Sequence, residues 1–148
     1  MMIRILDKTD KTIVEQLDRL LHLLNPSAPE TDHERLAGLI DGKRLMIFVS
    51  SEEDGTLSGM LTLTHCPTLS GDKYWIEDVI VDERFRGTGI GRALVRAAVR
   101  HLREKEKSPV LYLTSNPSRV SARNLYSSEG FEEYETGVFR LKAGQDPA

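Results

Sequence analysis

Apolar side chains recur at helical spacing at Ile13, Val14, Leu17, Leu20, Leu21 and Leu24, behind an Asp10 suited to cap the first turn. Asn25-Pro26 ends that run, and a short apolar stretch before it, Ile3 to Leu6, predicts a first strand. Thr31 and Glu34 stand at the spacing of a capping box, so a second helix is expected through Leu36, Leu39 and Ile40, stopped by Gly42. Arg44 to Ser51 and Leu57 to His65 read as the two strands of a hairpin around Glu53-Asp54-Gly55. Cys66 to Asp72, with Pro67 and Gly71, reads as a loop. Trp75 to Val81 is a strong strand, apolar except for Glu77 and Asp78, with Trp75 expected in the core. From Gly87 the spacing turns helical again through Leu94, Val95, Ala98, Val99 and Leu102. Val110 to Thr114 predicts a buried strand, Arg119 to Ser128 a short helix, and Phe131 to Leu141 two closing strands. The order βααβββαβαββ predicts an α/β fold, one domain over residues 1–142 with a mixed central β-sheet flanked by helices, and a polar tail at 143–148.

Composition narrows the partners more than the fold. With 148 residues, 39% hydrophobic and 29% charged, the chain is long and apolar enough for one packed core and is not a disordered one. Twenty Lys+Arg against 23 Asp+Glu leave a net charge of −3, which disfavours nucleic acid as a partner. Arg92, Arg96, Arg100 and Arg103 do form a basic stripe, best read as a solvated helix face. The one cysteine, Cys66, excludes an internal disulfide and a multi-cysteine metal site. His22, His33, His65 and His101 lack metal-ligand spacing, so no metal is implied. No run is apolar enough for a membrane span or a signal peptide, so no membrane partner and a cytoplasmic location are expected.

Candidate chemistry concentrates between Ile76 and Val95, where a buried strand gives way to a short basic connection and then to glycines that open a helix. The N–H groups at the positive end of a helix bind phosphate well, and Gly87, Gly89 and Gly91 let a ligand approach the main chain. Arg84 and Arg86 add charge at the same end. A nucleotide P-loop would carry Lys-Ser/Thr after its last glycine, where Arg92-Ala93 stands; a dinucleotide fingerprint would need glycine in place of Arg92. What remains is Arg86-x-x-Gly89-x-Gly91. A second pattern, Ala122-x-x-Leu125-Tyr126-x-x-x-Gly130-Phe131, follows the next buried strand.

Together the two patterns resemble the GNAT superfamily of N-acetyltransferases. There, Q/R-x-x-G-x-G/A binds the pyrophosphate of acyl-coenzyme A, and a short helix carrying A-x-x-L-Y runs into a strand beginning G-F. The resemblance covers residues 75–131 strongly and the amino-terminal half only in element order. It implies a GNAT-like fold and transfer of an acetyl group from acetyl-CoA to a primary amine, with both substrates bound together. It also implies that the strand before the glycine turn splays from its neighbour. Val79, Ile80 and Val81 would pair with the pantetheine arm as an added strand does, and one strand N–H there would stabilise the oxyanion. N–H groups of Arg86, Gly87, Thr88, Gly89, Ile90 and Gly91 would hold the pyrophosphate, with charge added by Arg84 and Arg92.

Two proton transfers complete the implied chemistry. Tyr126 matches the family tyrosine that protonates the departing thiolate. Glu77 and Asp78 are the base candidates. Strand alternation aims only one of them at a cleft unless a bulge changes the parity. Ile-Glu-Asp before Val-Ile-Val resembles the same strand in glucosamine-phosphate N-acetyltransferases, and Glu77 is preferred; a water relay is the other option. Many members carry an asparagine seven residues before the tyrosine. Here Arg119 stands there, so Asn116 or Asn124 would supply the amide, or Arg119 and Arg123 would contact phosphates instead. The acceptor, a small-molecule or peptide amine, would bind between Leu24–Asp32 and Tyr134–Phe139. Glu30, Asp32, Glu132, Glu133 and Glu135 there suit a cation (a polyamine, an aminoglycoside or a lysine side chain) and serve equally as solvated surface. A homodimer through a flat terminal strand is a further expectation. The alternative from another class is a non-catalytic acyl-CoA sensor, which would not need Tyr126.

Overall fold

A computed structural model describes residues 1–144; the end of the expected tail, 145–148, lies outside the described residues. In chain order the elements are β1 (Met2–Ile5), α1 (Lys11–Leu24), α2 (His33–Asp41), β2 (Leu45–Ser51), β3 (Leu57–Thr68), β4 (Gly71–Val81), a 3₁₀ turn (Glu83–Phe85), α3 (Ile90–Lys105), β5 (Leu111–Leu113) and α4 (Val120–Ser128). The five strands form one sheet in the order β1-β2-β3-β4-β5, antiparallel except for the parallel pair β4–β5. The sheet is therefore mixed, as the sequence implies.

Both faces of the sheet are buried, each by its own helices. Leu17, Leu20 and Leu36 from α1 and α2 pack with Ile47, Val49, Leu57, Met60 and Ile80. On the opposite face Ile90, Leu94, Val95, Ala98 and Leu102 of α3, with Tyr126 of α4, pack on Phe48, Leu61, Leu63, Tyr74 and Ile76. Asp10 caps α1 by accepting from the Ile13 N–H at 2.9 Å. No helix among the described residues is long and apolar enough to cross a membrane.

Several local expectations are corrected. Asp32 rather than Thr31 caps α2, its carboxylate accepting from the Arg35 N–H at 2.7 Å, where a negative charge also meets the helix dipole. Cys66 to Asp72 is not a loop. β3 and β4 stay paired to Thr68↔Gly71, with Gly71 at φ 128 closing the tight turn that any other residue would resist. Trp75 lies outside both core clusters, because strand alternation sends Tyr74 and Ile76 toward α3 and turns Trp75 to the other face, beyond α1 and α2. Helix α3 starts at Ile90, later than Gly87, since Gly87 and Gly89 both take positive φ, 77° and 88°. The two closing strands over Phe131 to Leu141 are not formed; β5 offers only three residues as a template, and Glu133 is held instead by Arg123 of α4. Phe139, at 99% exposure, and Val138 and Leu141 stand in solvent.

Gly59 sets how closely α3 sits on the sheet. A Cβ there would lie 3.0 Å from Ile90 Cγ2, 3.1 Å from the Ile80 carbonyl oxygen and 3.2 Å from Leu94 Cδ1. Gly59→Val is expected to lower stability by about 1–3 kcal/mol through overpacking, read as a lower urea midpoint at unchanged slope. An unchanged midpoint would mean that α3 seats elsewhere.

Candidate active site

One extra residue in β4 shapes the site. Between the pairs Met60↔Ile80 and Thr62↔Glu77, β3 advances two positions and β4 three, which is a β-bulge. Asp78 takes φ 36, an uncommon conformation for a residue with a side chain. The bulge reverses the strand's parity: Ile76 packs on the α3 side and Ile80 on the α1–α2 side, although four residues apart they would face alike in a regular strand. Glu77 and Asp78 consequently both line one cleft of about 60 Å³, together with Leu24, Val79, Thr114, Arg119 and Tyr126. Thr62 Oγ1 donates to Asp78 Oδ2 at 3.0 Å and steadies it.

Electrostatics separate the titrating groups in this cleft. Partial burial, then the neighbouring Asp78 charge, pushes the Glu77 carboxyl above the ordinary glutamate value. Tyr126 is 6% exposed, and burial pushes its phenol up, opposed by the Arg119 charge. Its ring packs edge-on against Phe131 with centroids 5.9 Å apart. A carboxylate with raised affinity for a proton thus shares a cleft with a phenol that stays protonated at neutral pH.

The same cleft opens along an unpaired stretch of strand. Pairing of β4 with β5 ends at Ile76↔Leu113, while β4 continues to Val81 with β3 alone. The outer main-chain groups of Glu77 to Val81 therefore face the gap where the strands part, the splay that the resemblance implies. At its far end the Val81 carbonyl accepts from Arg86 Nε at 3.2 Å.

Asp82 then turns the chain. It is 3% exposed, and its carboxylate accepts from the Arg84 N–H at 3.0 Å and the Arg84 guanidinium at 2.8 Å. Arg19 of α1 also donates to it and to the Leu57 carbonyl, the latter at 2.8 Å. Hydrogen bonds from Arg84 hold this carboxyl far below the usual range, with Arg19 adding to the effect. Beyond the 3₁₀ turn, Thr88 Oγ1 donates to the Phe85 carbonyl at 2.6 Å. No oxygen of the described residues accepts from the N–H of Gly87, Thr88, Gly89, Ile90, Gly91 or Arg92. No side chain or main chain lies within 4 Å of the Cβ position of Gly87 or Gly89, whereas Gly91 sits against Leu125 and Val81 at ordinary contact. Six donors at the N-terminus of a sixteen-residue helix, with open space beside two of the glycines, fit a phosphate ligand.

Not every candidate reaches this place. Arg84 is engaged by Asp82, and Arg92 donates at 2.6 Å to Glu129, which Arg96 also holds at 2.8 Å, so these arginines brace α3, α4 and the turn. Arg86 keeps more freedom, with Glu83 at 3.6 Å. Asn116 Oδ1 is spent locally on the Ser118 N–H and hydroxyl, both at 2.9 Å. Arg119 lines the cleft beside Tyr126. Sequence reasoning missed Asp82, Arg19, Thr62 and Thr114. An aspartate directly after a strand and two before an arginine is the one signal that would have marked the first. Among the described residues no three His, Cys, Asp or Glu side chains gather as a metal group.

The fold and site define a class: an α/β domain whose glycine turn, with a row of free N–H groups, leads along an open strand edge to a cleft lined by two carboxylates and a phenol. The sequence profile of the acetyltransferase (GNAT) family matches residues 15–131. A spermine/spermidine N(1)-acetyltransferase of Bacillus subtilis is 32% identical over 60 residues, 40% of this chain and 40% of that protein. An N-alpha-acetyltransferase of Sulfurisphaera tokodaii is 32% identical over 108 residues, 67% of this chain and 64% of that one. Each match spans less than two thirds of the curated relative. Among solved structures, an acetyltransferase of Trypanosoma brucei has a TM-score of 0.76 at 25% identity, over 95% of this chain and 98% of that chain. This chain belongs to the acetyltransferase (GNAT) family.

Proposed function

We propose that this chain transfers an acetyl group from acetyl-CoA to a primary amine, with both molecules bound at once. The observation that carries the reading is the continuity of three parts: the free N–H row at residues 87–92, the unpaired edge of β4, and the cleft holding Glu77, Asp78 and Tyr126. Arg86 and the N–H row would hold the pyrophosphate, and the main chain of Val79 to Val81 would pair with the pantetheine arm. Acetyl-CoA supplies the acyl group as a thioester. One strand N–H would take the developing negative charge of the carbonyl oxygen. Glu77 would accept the proton of the amine, directly or through water, with Asp78 steering the cation beside it. Tyr126 would give a proton to the departing sulfur. Arg84 and Arg92 act as braces of the cradle in this reading, and Arg119 keeps the phenol end of the cleft positive. The reading includes a cytoplasmic place for the enzyme and a homodimer; the unpaired edge of β5 and the exposed Val138, Phe139 and Leu141 support the second.

The test has two steps. Acetyl-CoA, and not AMP or NAD, is expected to raise the unfolding temperature, and a panel of amines is then screened for thiol release from acetyl-CoA. No shift at millimolar acetyl-CoA would remove the reading. A shift without turnover on any amine would leave a sensor in place of an enzyme.

The Glu77 assignment carries a pH prediction. A base works deprotonated, so log kcat is expected to fall on acidification through a Glu77 value raised above the ordinary one, that is, sooner than for an exposed glutamate at about 4.3. Glu77→Gln is expected to lower kcat about 100-fold and to erase that limb. A glutamine variant that keeps both rate and limb would move the base elsewhere.

A further inference from the structure

Trp75 is the chain's single tryptophan, and the structure leaves it half-buried in an aromatic stack that no core cluster uses. Its ring stacks on Tyr112 with centroids 4.9 Å apart and planes 26° from parallel. Tyr112 meets the ring of Tyr134 edge-on at 6.0 Å, and Tyr134 is 73% exposed. This stack stands on the same face of the sheet as Glu77, one of the two faces from which the cleft is lined, since Ile76, Leu113 and Tyr126 line it from the α3 side. Ile76 between Trp75 and Glu77 packs toward α3, as do Leu111 and Leu113 on either side of Tyr112. Trp75 and Glu77 therefore share one face of β4, and Tyr112, paired with Trp75, takes the matching face of β5. Glu77 lines the cleft, as does Thr114 directly after β5, so the stack continues its wall by one step along β4. The apolar cluster beneath α1 and α2 ends at Leu45, Ile80 and their neighbours and does not reach Trp75.

From this placement we infer that Trp75 and Tyr112 form the wall of the acceptor subsite and select an amine bearing a second positive charge. The inference rests on the acetyl-transfer reading above. Two residues along a strand span roughly 7 Å, so a group whose reacting nitrogen lies at Glu77 carries its other end across the Trp75 ring. An electron-rich indole face attracts a cation. A chain with ammonium groups at both ends, an α,ω-diaminoalkane, satisfies the two positions at once: carboxylates at one, aromatic faces at the other. Tyr134, edge-on to Tyr112 and flanked by Glu133 and Glu135, borders the same wall from the solvent side.

The experiment compares 1,4-diaminobutane with 1-aminobutane, which has the same carbon chain and no second charge. With acetyl-CoA saturating, the wild type is expected to show a KM for the diamine roughly tenfold below that for the monoamine. Trp75→Leu is expected to abolish that difference, and Trp75→Phe to keep part of it, with KM for acetyl-CoA unchanged in both and a somewhat lower unfolding midpoint in the leucine variant, which loses the stack on Tyr112. Binding is read independently of turnover from the fluorescence of the single tryptophan, which the diamine is expected to quench saturably and the monoamine is not. A preference that survives in Trp75→Leu, or its absence in the wild type, would overturn the inference while leaving acetyl transfer standing. Saturable quenching by the diamine without thiol release from acetyl-CoA would mean that it binds off the reacting position, and would overturn the inference while leaving acetyl transfer to other amines standing. A lowered midpoint in the leucine variant with the preference intact would reduce the stack to packing and overturn the inference.

Discussion

Gly89→Glu is expected to abolish binding of acetyl-CoA while the domain stays folded. Two terms set this outcome. Gly89 caps α3 at φ 88, so any side chain there costs about 1–2 kcal/mol of backbone strain. Nothing lies within 4 Å of its Cβ position, so no clash adds to that cost and the fold survives with reduced stability. The new carboxylate, however, stands before the row of free N–H groups and offers them an acceptor of its own while repelling phosphate. A wild-type protein at 100 times its dissociation constant for acetyl-CoA gains about 2.7 kcal/mol, seen as a shift of a few degrees in a melt. The glutamate variant is expected to show none. Gly89→Ala carries the same strain without bulk or charge and separates the causes: it is expected to retain much of the shift. Equal shifts in the glutamate variant and the wild type would take the phosphate cradle away from this turn.

Tyr126→Phe is expected to cost about 100-fold in kcat with little change in KM for acetyl-CoA. Phenylalanine keeps the ring that packs against Phe131 and loses only the hydroxyl at the cleft. The lower end of the range for a general acid is expected because a thiol, with a pKa of about 8.5, leaves more readily than an amine. Burial works in favour of the role, since it holds the phenol in the form that has a proton to give. Single-turnover rates, which isolate the chemical step from product release, are the measurement to use. An unchanged single-turnover rate would assign Tyr126 to packing alone.

The parts legible in the sequence were those written in local spacing. Helix α1 appears as six apolar residues at helical spacing, and the turn at residues 86–91 appears as glycines between a strand and a helix. What was hidden depends on pairing. No property of Asp78 alone announces a bulge; the extra residue exists only relative to the count on β3 between Met60 and Thr62. Hence strand alternation offers the cleft Glu77 or Asp78, and the bulge admits both. Arg19 and Asp82 meet across 63 positions, which no local pattern can reveal. Trp75 shows the limit of hydrophobicity as a guide: a large apolar ring reads as core, yet its place is set by which neighbour in the strand, Tyr74 or Trp75, the helix happens to cover.

The bulge in β4 has a consequence for how this chain tolerates change. A strand counts in twos, and one added residue acts as a phase shift: everything downstream is inverted until another element resets the count. Val79, Ile80 and Val81 owe their faces to that shift, and so does the direction in which the chain leaves the sheet toward Asp82 and α3. Loss of a single residue here would not trim the site. It would turn the end of the strand over, sending Ile80 out of the α1–α2 core and the glycine turn to the wrong side. Substitutions at Glu77 or Asp78 alter one chemical group each. The number of residues between Ile76 and Ile80 is the more rigid inheritance, a matter of reading frame in the folded chain and not of composition.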